Sequence, residues 1–389
     1  MIKKIYLFFL FASNFIFSQN LDFNVIVKDI LTGLPIEEVT IKALNTNQGF
    51  LTNKAGEAVI HLSQESNLKF EHFAYKSYVV KFSEFDKKVN EVYLESNVKQ
   101  LAEVIVTKDH PQDILQKLVD NSLQKITIPI NLKVYLREFY KKNDQIVFFN
   151  DGLINFQVLG NSKNIKNDIL VEQNRSVGIL DEDITEELLG YDLNNIIENY
   201  YQFKYLGEIL TSKAKKNYDF QVVTYPNNEN YYMIKVSPLL EANGILSDFT
   251  IVYDNTKMII MEINSMVAAN RLEELRQSFL NSNKIFKLEF RNTFQLDNDV
   301  YYLANTKEVI GFEKKNKKKS RRIEVKNHMV ITNFDKKIFD YTDKNVFKGK
   351  SLINKKTQFF NNYWDIESGF LSTKEEKEII EQLSTIDNP

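Results

Sequence analysis

Residues 220–263 read FQVVTYPNNENYYMIKVSPLLEANGILSDFTIVYDNTKMIIMEI. Apolar, β-branched and aromatic side chains crowd 220–224, 231–236, 249–253 and 258–263, and such residues suit a pleated, half-buried surface. Short polar breaks separate them, Asn227-Asn228-Glu229-Asn230 and Asp254-Asn255 among them. Strands joined by turns this tight pair with their sequence neighbours, which predicts an antiparallel meander.

The same texture extends in both directions. Downstream it recurs at 285–290, 300–309 and 328–334. Upstream it recurs at 132–139, 146–149 and 153–159, with Asn143-Asp144 and Asn150-Asp151-Gly152 read as turns. Helices interrupt it. Asp109-His110-Pro111 opens one, because proline suits the first helical position; Ile114, Leu115, Leu118, Val119 and Ile126 then fall near helical spacing until Pro129. A second helical stretch is expected over 183–203, with Asp183 and Glu186 as a capping box, Gly190 as a stop and Asp192 as a restart. Tyr363-Trp364 and the charged run from Lys374 predict an aromatic turn and a terminal helix. Residues 108–389 are therefore expected to form a larger curved antiparallel sheet, half-barrel-like, with a few helices. In strand order alone this region resembles the half-barrels of bacterial lipoprotein-carrier proteins. The fold class is mainly β with some α.

Residues 19–107 alternate with period two between turn signals. Phe23, Val25 and Val27 share one face, as do Val39, Ile41 and Ala43; the stretches 58–62, 68–73, 78–82 and 92–94 follow. Short, regularly spaced strands of this kind indicate an antiparallel β-sandwich. Asp29-x-x-Thr32-Gly33-x-Pro35-Ile36, Gly49-x-x-Thr52-Asn53-x-x-Gly56-Glu57-Ala58, and Leu68-Lys-Phe70 before Ala74-Tyr75 resemble, in that order, the hallmarks of the carboxypeptidase regulatory-like domain. Leu101-Ala-Glu103-Val-Ile-Val-Thr107 resembles the tail that follows this domain in outer-membrane, TonB-dependent receptor proteins. The resemblance implies a seven-stranded, prealbumin-like sandwich that is accessory to other domains and carries no catalysis. The whole chain is also similar to uncharacterised exported proteins that pair this domain with a β-rich region.

Lys3 and Lys4 precede an apolar run over 5–17, and Ser18 stands before Gln19. This reads as a signal peptide over 1–18, and the run is short for a membrane span. No later run approaches membrane length, so no transmembrane segment is expected in the mature chain. The chain has no cysteine, which excludes disulfides, thiolate metal sites and the lipidated cysteine of a lipoprotein. The periplasm or the outer-membrane periphery is the expected location, with secretion as the alternative. The formal charge of −2 becomes −4 without Lys3 and Lys4, which offers no global attraction to nucleic acid.

The chemistry-bearing residues are sparse. His61, His72, His110 and His328 are isolated, and no metal-ligand spacing, nucleophile elbow or phosphate loop occurs. No catalytic residue, cofactor or metal is expected, and a hydrolase with a dispersed site ranks last. Asp181-Glu182-Asp183 has the carboxylates for calcium but lacks the rest of a calcium loop, so a helix N-terminus is the simpler use. Lys314, Lys315, Lys317, Lys318, Lys319, Arg321 and Arg322 form a concentrated positive field. It reads either as a solvated hairpin tip, the commoner use of such a run, or as a contact for the phosphates of lipid or another polyanion. Tyr200, Tyr201, Phe203 and Tyr231, with Tyr205 and Tyr232 nearby, are either core or the lining of an apolar ligand site. The resulting expectation is an exported, non-catalytic binding or accessory protein of the Gram-negative envelope, working with an outer-membrane protein. The alternative is a periplasmic carrier of lipid or another apolar ligand in the half-barrel.

Overall fold

The computed structural model describes residues 21–46, 48–72, 74–86, 89–96, 103–178, 192–225, 229–268, 271–272, 283–316, 319–352 and 372–387. The signal-peptide segment, Asp181-Glu182-Asp183, Glu186, Gly190, Lys317, Lys318 and Tyr363-Trp364 lie outside these residues.

The N-terminal unit consists of β1 (Leu21–Asp29), β2 (Thr40–Ala43), β3 (Gly49–Leu51), β4 (Glu57–Leu62), β5 (Leu68–His72), β6 (Tyr75–Val80) and β7 (Val89–Leu94). They form two sheets, ordered β4-β1-β7 and β3-β2-β5-β6. Val25, Val27, Ile41, Ile60, Leu68 and Phe70 fill the space between them. The quoted turns have clear local causes. The Asp29 carboxylate accepts the backbone N–H groups of Leu31 and Thr32 at 2.9 and 2.8 Å. The Asn53 side chain likewise accepts those of Ala55 and Glu57 at 2.9 and 3.0 Å. Gly56 has φ +72°, and a Cβ there would lie 2.5 Å from the Val27 carbonyl oxygen, so only glycine fits. Two details differ from the pattern reading. Residues 49–51 form a strand, and β1 pairs β7 in parallel. The whole of β2 to β6 separates β1 from β7, so no tight turn dictates their relative direction.

The C-terminal unit contains β8 (Val104–Ile105), α1 (Pro111–Lys125), β9 (Ile130–Lys142), β10 (Gln145–Asn161), β11 (Asn164–Gly178), α2 (Leu193–Tyr201), α3 (Gly207–Leu210), β12 (Tyr218–Thr224), β13 (Tyr231–Pro238), β14 (Ser247–Asp254), β15 (Ile259–Val267), β16 (Asn283–Asp297), β17 (Val300–Asn316), β18 (Lys319–Asp335) and α4 (Lys374–Asp387). Its strands make an 11-stranded antiparallel sheet ordered β11-β10-β9-β18-β17-β16-β15-β14-β13-β12-β8. The meander at 218–267 is as expected. β8 pairs β12, so Val104 and Ile105, which the sequence places in the first unit, join the sheet of the second.

Asn150-Asp151-Gly152 is not a turn. It lies inside the continuous strand β10, with a register shift at Leu153/Ile154. The polar pair is buried and satisfied: Arg175 donates to Asp151 at 3.1 and 2.6 Å, and the Ser176 hydroxyl donates to Asn150 at 2.8 Å. A Cβ on Gly152 would meet Leu352 at 2.3 Å, so the glycine serves close packing there.

One face of the sheet carries the main core. Leu132, Val134 and Leu136 of β9, with Ile154, Phe156 and Val158 of β10, pack together with Leu115, Leu118 and Val119 of α1 and with Ile196 and Ile197 of α2. His110 caps α1, its Nδ1 accepting the Gln112 N–H at 3.1 Å, directly before Pro111.

Candidate binding cleft between sandwich and sheet

Alternation along a strand sends successive side chains to opposite faces. On β9, Tyr135, Arg137 and Phe139 therefore face away from the main core. The terminal helix and the sandwich cover this second face. Ile380 and Leu383 of α4 pack on Phe139, Phe149 and Val177. Arg137 donates to Ser372 Oγ at 2.8 Å and sits 3.4 Å from Glu376. Farther along, Leu51 of β3 packs with Tyr135, Leu153 and Val330.

Further docking contacts are ionic. Glu38 follows the Pro35-Ile36 turn with φ +63°, a left-handed backbone that a non-glycine residue adopts only when its surroundings hold it. Its carboxylate takes Arg291 Nη1 at 2.8 Å on one oxygen and the Lys307 ammonium on the other. Arg291 also pairs with Glu262, Nε to Oε1 at 3.2 Å, and Lys42 pairs with Asp297 at 2.7 Å. Burial opposes the charge on Glu38. Its cationic neighbours, His328 when protonated together with Lys307 and Arg291, outweigh burial and hold the carboxyl at about 2. Burial itself holds His328 neutral down to about 3, so Lys307 and Arg291 stabilise Glu38 at neutral pH. Burial, reinforced by the Arg291 charge, likewise lowers His72 to about 4.

Beside this cluster the two units enclose a cleft of about 320 Å³. The sandwich contributes Thr40, Lys69, Glu71, His72 and Tyr75. The sheet contributes Tyr225, Tyr231, Arg291, Thr293, Gln295 and Asn305. Tyr225 and Tyr231 meet edge to face, with ring centroids 5.9 Å apart and planes at 81°. The charges are compensated internally: Lys69 pairs Glu71 at 2.5 Å, Lys76 pairs Glu95 at 2.7 Å, and Arg291 lies between Glu38 and Glu262. Burial raises the Tyr231 phenol to about 12, so it is a neutral hydrogen-bonding group.

The aromatic residues singled out by sequence separate into two sets. Tyr200, Tyr201 and Phe203 are buried in the main core. Tyr200 stacks on Tyr205 at 5.1 Å, Phe203 packs on Phe294 at 5.2 Å, and the Tyr201 hydroxyl accepts the Leu303 N–H at 3.2 Å. These side chains fill the helix-covered face on which an apolar ligand was expected. Tyr231 alone of the four lines the cleft. The described part of the basic run occupies the ends of β17 and β18, at the tip of their hairpin. Sequence reading did not find Glu38, Arg291, Glu262 or Lys307, which come from segments far apart in the chain. The one local signal was the unusual Glu37-Glu38 pair at the end of a Gly-Leu-Pro turn. Among the described residues no group of three or more His, Asp or Glu is placed to hold a metal ion, and no helix is long and apolar enough to cross a membrane.

The sequence matches no protein-family model and no curated protein. Superpositions relate the chain to several solved structures. The Pseudomonas aeruginosa MucA/MucB complex matches at 10% identity over 58% of this chain and 98% of that chain, with a TM-score of 0.19. A LolA superfamily protein from Nitrosomonas europaea matches at 12% identity over 62% and 98%, with a TM-score of 0.23. Lipovitellin matches at 10% identity over 60% of this chain and 29% of that chain, with a TM-score of 0.27. Overlaps this loose say nothing about what this chain binds.

Proposed function

We propose that the protein is an exported, non-catalytic binding protein of the Gram-negative cell envelope. Its N-terminal sandwich, read as a carboxypeptidase regulatory-like domain, closes a ligand cleft against the large sheet. The observation that carries the reading is the cleft itself, a concave, pre-formed space at a boundary between two units. Its ionisable groups favour holding over chemistry. Glu38 stays charged and His72 and His328 stay neutral near pH 7, so none of the three is poised to exchange a proton. With the charges paired internally, phenols, amides and hydroxyls dominate the surface offered to a ligand. That chemistry suits a neutral, hydroxyl-rich molecule of the saccharide class, with the Tyr225 and Tyr231 rings as apolar walls. The resemblance of residues 101–107 to the tail of receptor-associated domains supports an outer-membrane protein as the partner that shares the ligand.

The test is calorimetric titration of the full chain with soluble cello-, malto- and chito-oligosaccharides, beside Tyr225→Ala and Tyr231→Ala. Binding by the unaltered protein that weakens roughly tenfold or more in either variant supports the cleft, since aromatic anchors dominate binding energetics. Binding that ignores both substitutions refutes it. Native mass spectrometry that finds a co-purifying lipid replaces this reading with apolar carriage.

A further inference from the structure

We infer that the end of the large sheet built from the β9–β10 and β17–β18 hairpin tips and the start of β16 docks on an anionic phospholipid surface. The run at 314–322 supplies only part of this feature. Strand register brings the other parts beside it. Lys314 pairs both Arg321 and Asn283, Glu313 pairs both Arg322 and Lys284, and Lys141 and Lys142 pair Glu324 and Ile323. The described residues of segments 141–144, 283–289 and 313–324 thus meet at one edge and carry nine Lys and Arg against four carboxylates. The whole chain is slightly acidic, so this is a local field of opposite sign.

The segments are also held together. The Asn143 N–H donates to the Arg322 carbonyl at 2.8 Å, and the Arg322 N–H donates to the Asn143 side chain at 3.0 Å, which ties the two hairpins side by side. Tyr140, Phe148, Phe312, Ile323 and Val325 form a small apolar cluster beneath them. The Arg322 guanidinium lies 4.2 Å over the Phe286 ring, a cation backed by an aromatic face. Strand register places cations on four adjacent strands, β9, β18, β17 and β16, a row that spans roughly 15 Å at the usual strand spacing. The tip also stands roughly 30 Å along β17 from Lys307, so the sandwich and its cleft are clear of it.

The shape selects the partner. A projecting row of tips fits a plane and encloses no strand, and the run at 314–322 carries no interleaved aromatic platform for bases. Basic clusters near an anionic leaflet gain attraction from each added cation and lose it in salt.

The experiment is co-sedimentation of the full chain with phosphatidylcholine vesicles that hold either no phosphatidylglycerol or about 30% of it. The expected result is binding to the anionic vesicles alone, abolished by about 0.5 M salt. The triple variant Lys314→Gln, Lys315→Gln, Lys319→Gln should bind roughly tenfold more weakly. The double variant Lys141→Gln, Lys142→Gln, on the other hairpin, should lose several-fold, an effect that the sequence run alone does not foresee. Lys213→Gln, Lys215→Gln, Lys216→Gln removes the same charge as the triple variant from another part of the surface and should leave binding unchanged; circular dichroism checks that each variant is folded. Equal loss in that control, no preference for anionic vesicles, or heparin binding that matches vesicle binding variant for variant would each overturn the proposal.

Discussion

The two faces of the large sheet are covered by different means. On one, α1, α2 and their connections pack on a continuous apolar core that includes Val134, Leu136, Phe156 and Met329. On the other, the sandwich rests on a small apolar spot around Leu51 and on the ion cluster of Glu38, Arg291, Lys307 and Glu262. Apolar burial is non-directional and large in sum, whereas buried charges stabilise only while every partner is present. The first face should therefore set the stability of the unit. The second should set whether the sandwich stays docked.

Phe156→Ala tests the first half of that contrast and should have the largest effect. Phe156 is fully buried in the main core, and truncating such a side chain costs roughly 3–5 kcal/mol through lost transfer energy and an unfilled cavity. Denaturant titration should show the transition of the large unit moving to lower concentration with the sandwich transition unmoved. A loss below roughly 1 kcal/mol would mean that the core is loosely packed there.

Glu38→Gln tests the second half. It leaves Arg291 and Lys307 facing a neutral amide in a buried site, a change of about 3 kcal/mol. The loss should appear as undocking, with faster hydrogen exchange in β2 and β3 and new protease cuts between the units, while each unit keeps its own transition. Acid should mimic the variant. Glu38 is depressed from 4.5 to about 2, so its contribution is whole above pH 4.5 and disappears as pH falls towards 2. His72, depressed from 6.5 to about 4, is neutral in the docked state, so its contribution is whole above pH 6.5 and is lost through pH 4. Undocking should therefore begin below pH 6.5. An exchange pattern that is flat from pH 7 to 4 would contradict this.

The meander at 218–267 was legible because its strands are short, aromatic-rich and joined by local turns, so nearest neighbours in sequence are nearest neighbours in space. The turns around Asp29 and Asn53 were legible for the same reason: each is closed by its own side chain. Asn150-Asp151-Gly152 misled because its polarity is satisfied by Arg175 and Ser176 on the next strand, a partner that no local pattern reveals. The cleft was hidden for a related reason. Glu38, Arg291 and Lys307 are separated by more than 250 residues at the extremes, and each alone looks like an ordinary surface charge. Tyr200 and Tyr231 illustrate the limit from the other side, since two similar tyrosines near strand or helix ends go one to the core and one to the cleft.

Glu308→Gln gives the smallest effect and separates the faces by the sign of their pH response. Glu308 is a buried carboxyl of the helix-covered face, where its neighbour is the Tyr200 hydroxyl at 3.5 Å. Burial raises it from 4.5 to about 7, and the Tyr200 hydrogen bond offsets only part of that. A carboxyl raised in the folded state contributes its stability fully below pH 4.5 and loses it as pH rises through about 7. Raising the pH from 4.5 through 7 should therefore weaken the helix-covered face, while lowering it weakens the docked sandwich. Glutamine at 308 keeps the neutral form at every pH. The variant should match the unaltered protein near pH 4 and exceed its stability by at most about 3 kcal/mol at pH 8. If the two stability curves stay parallel from pH 4 to 8, Glu308 is not the group that titrates, and the opposition between the faces fails on this side.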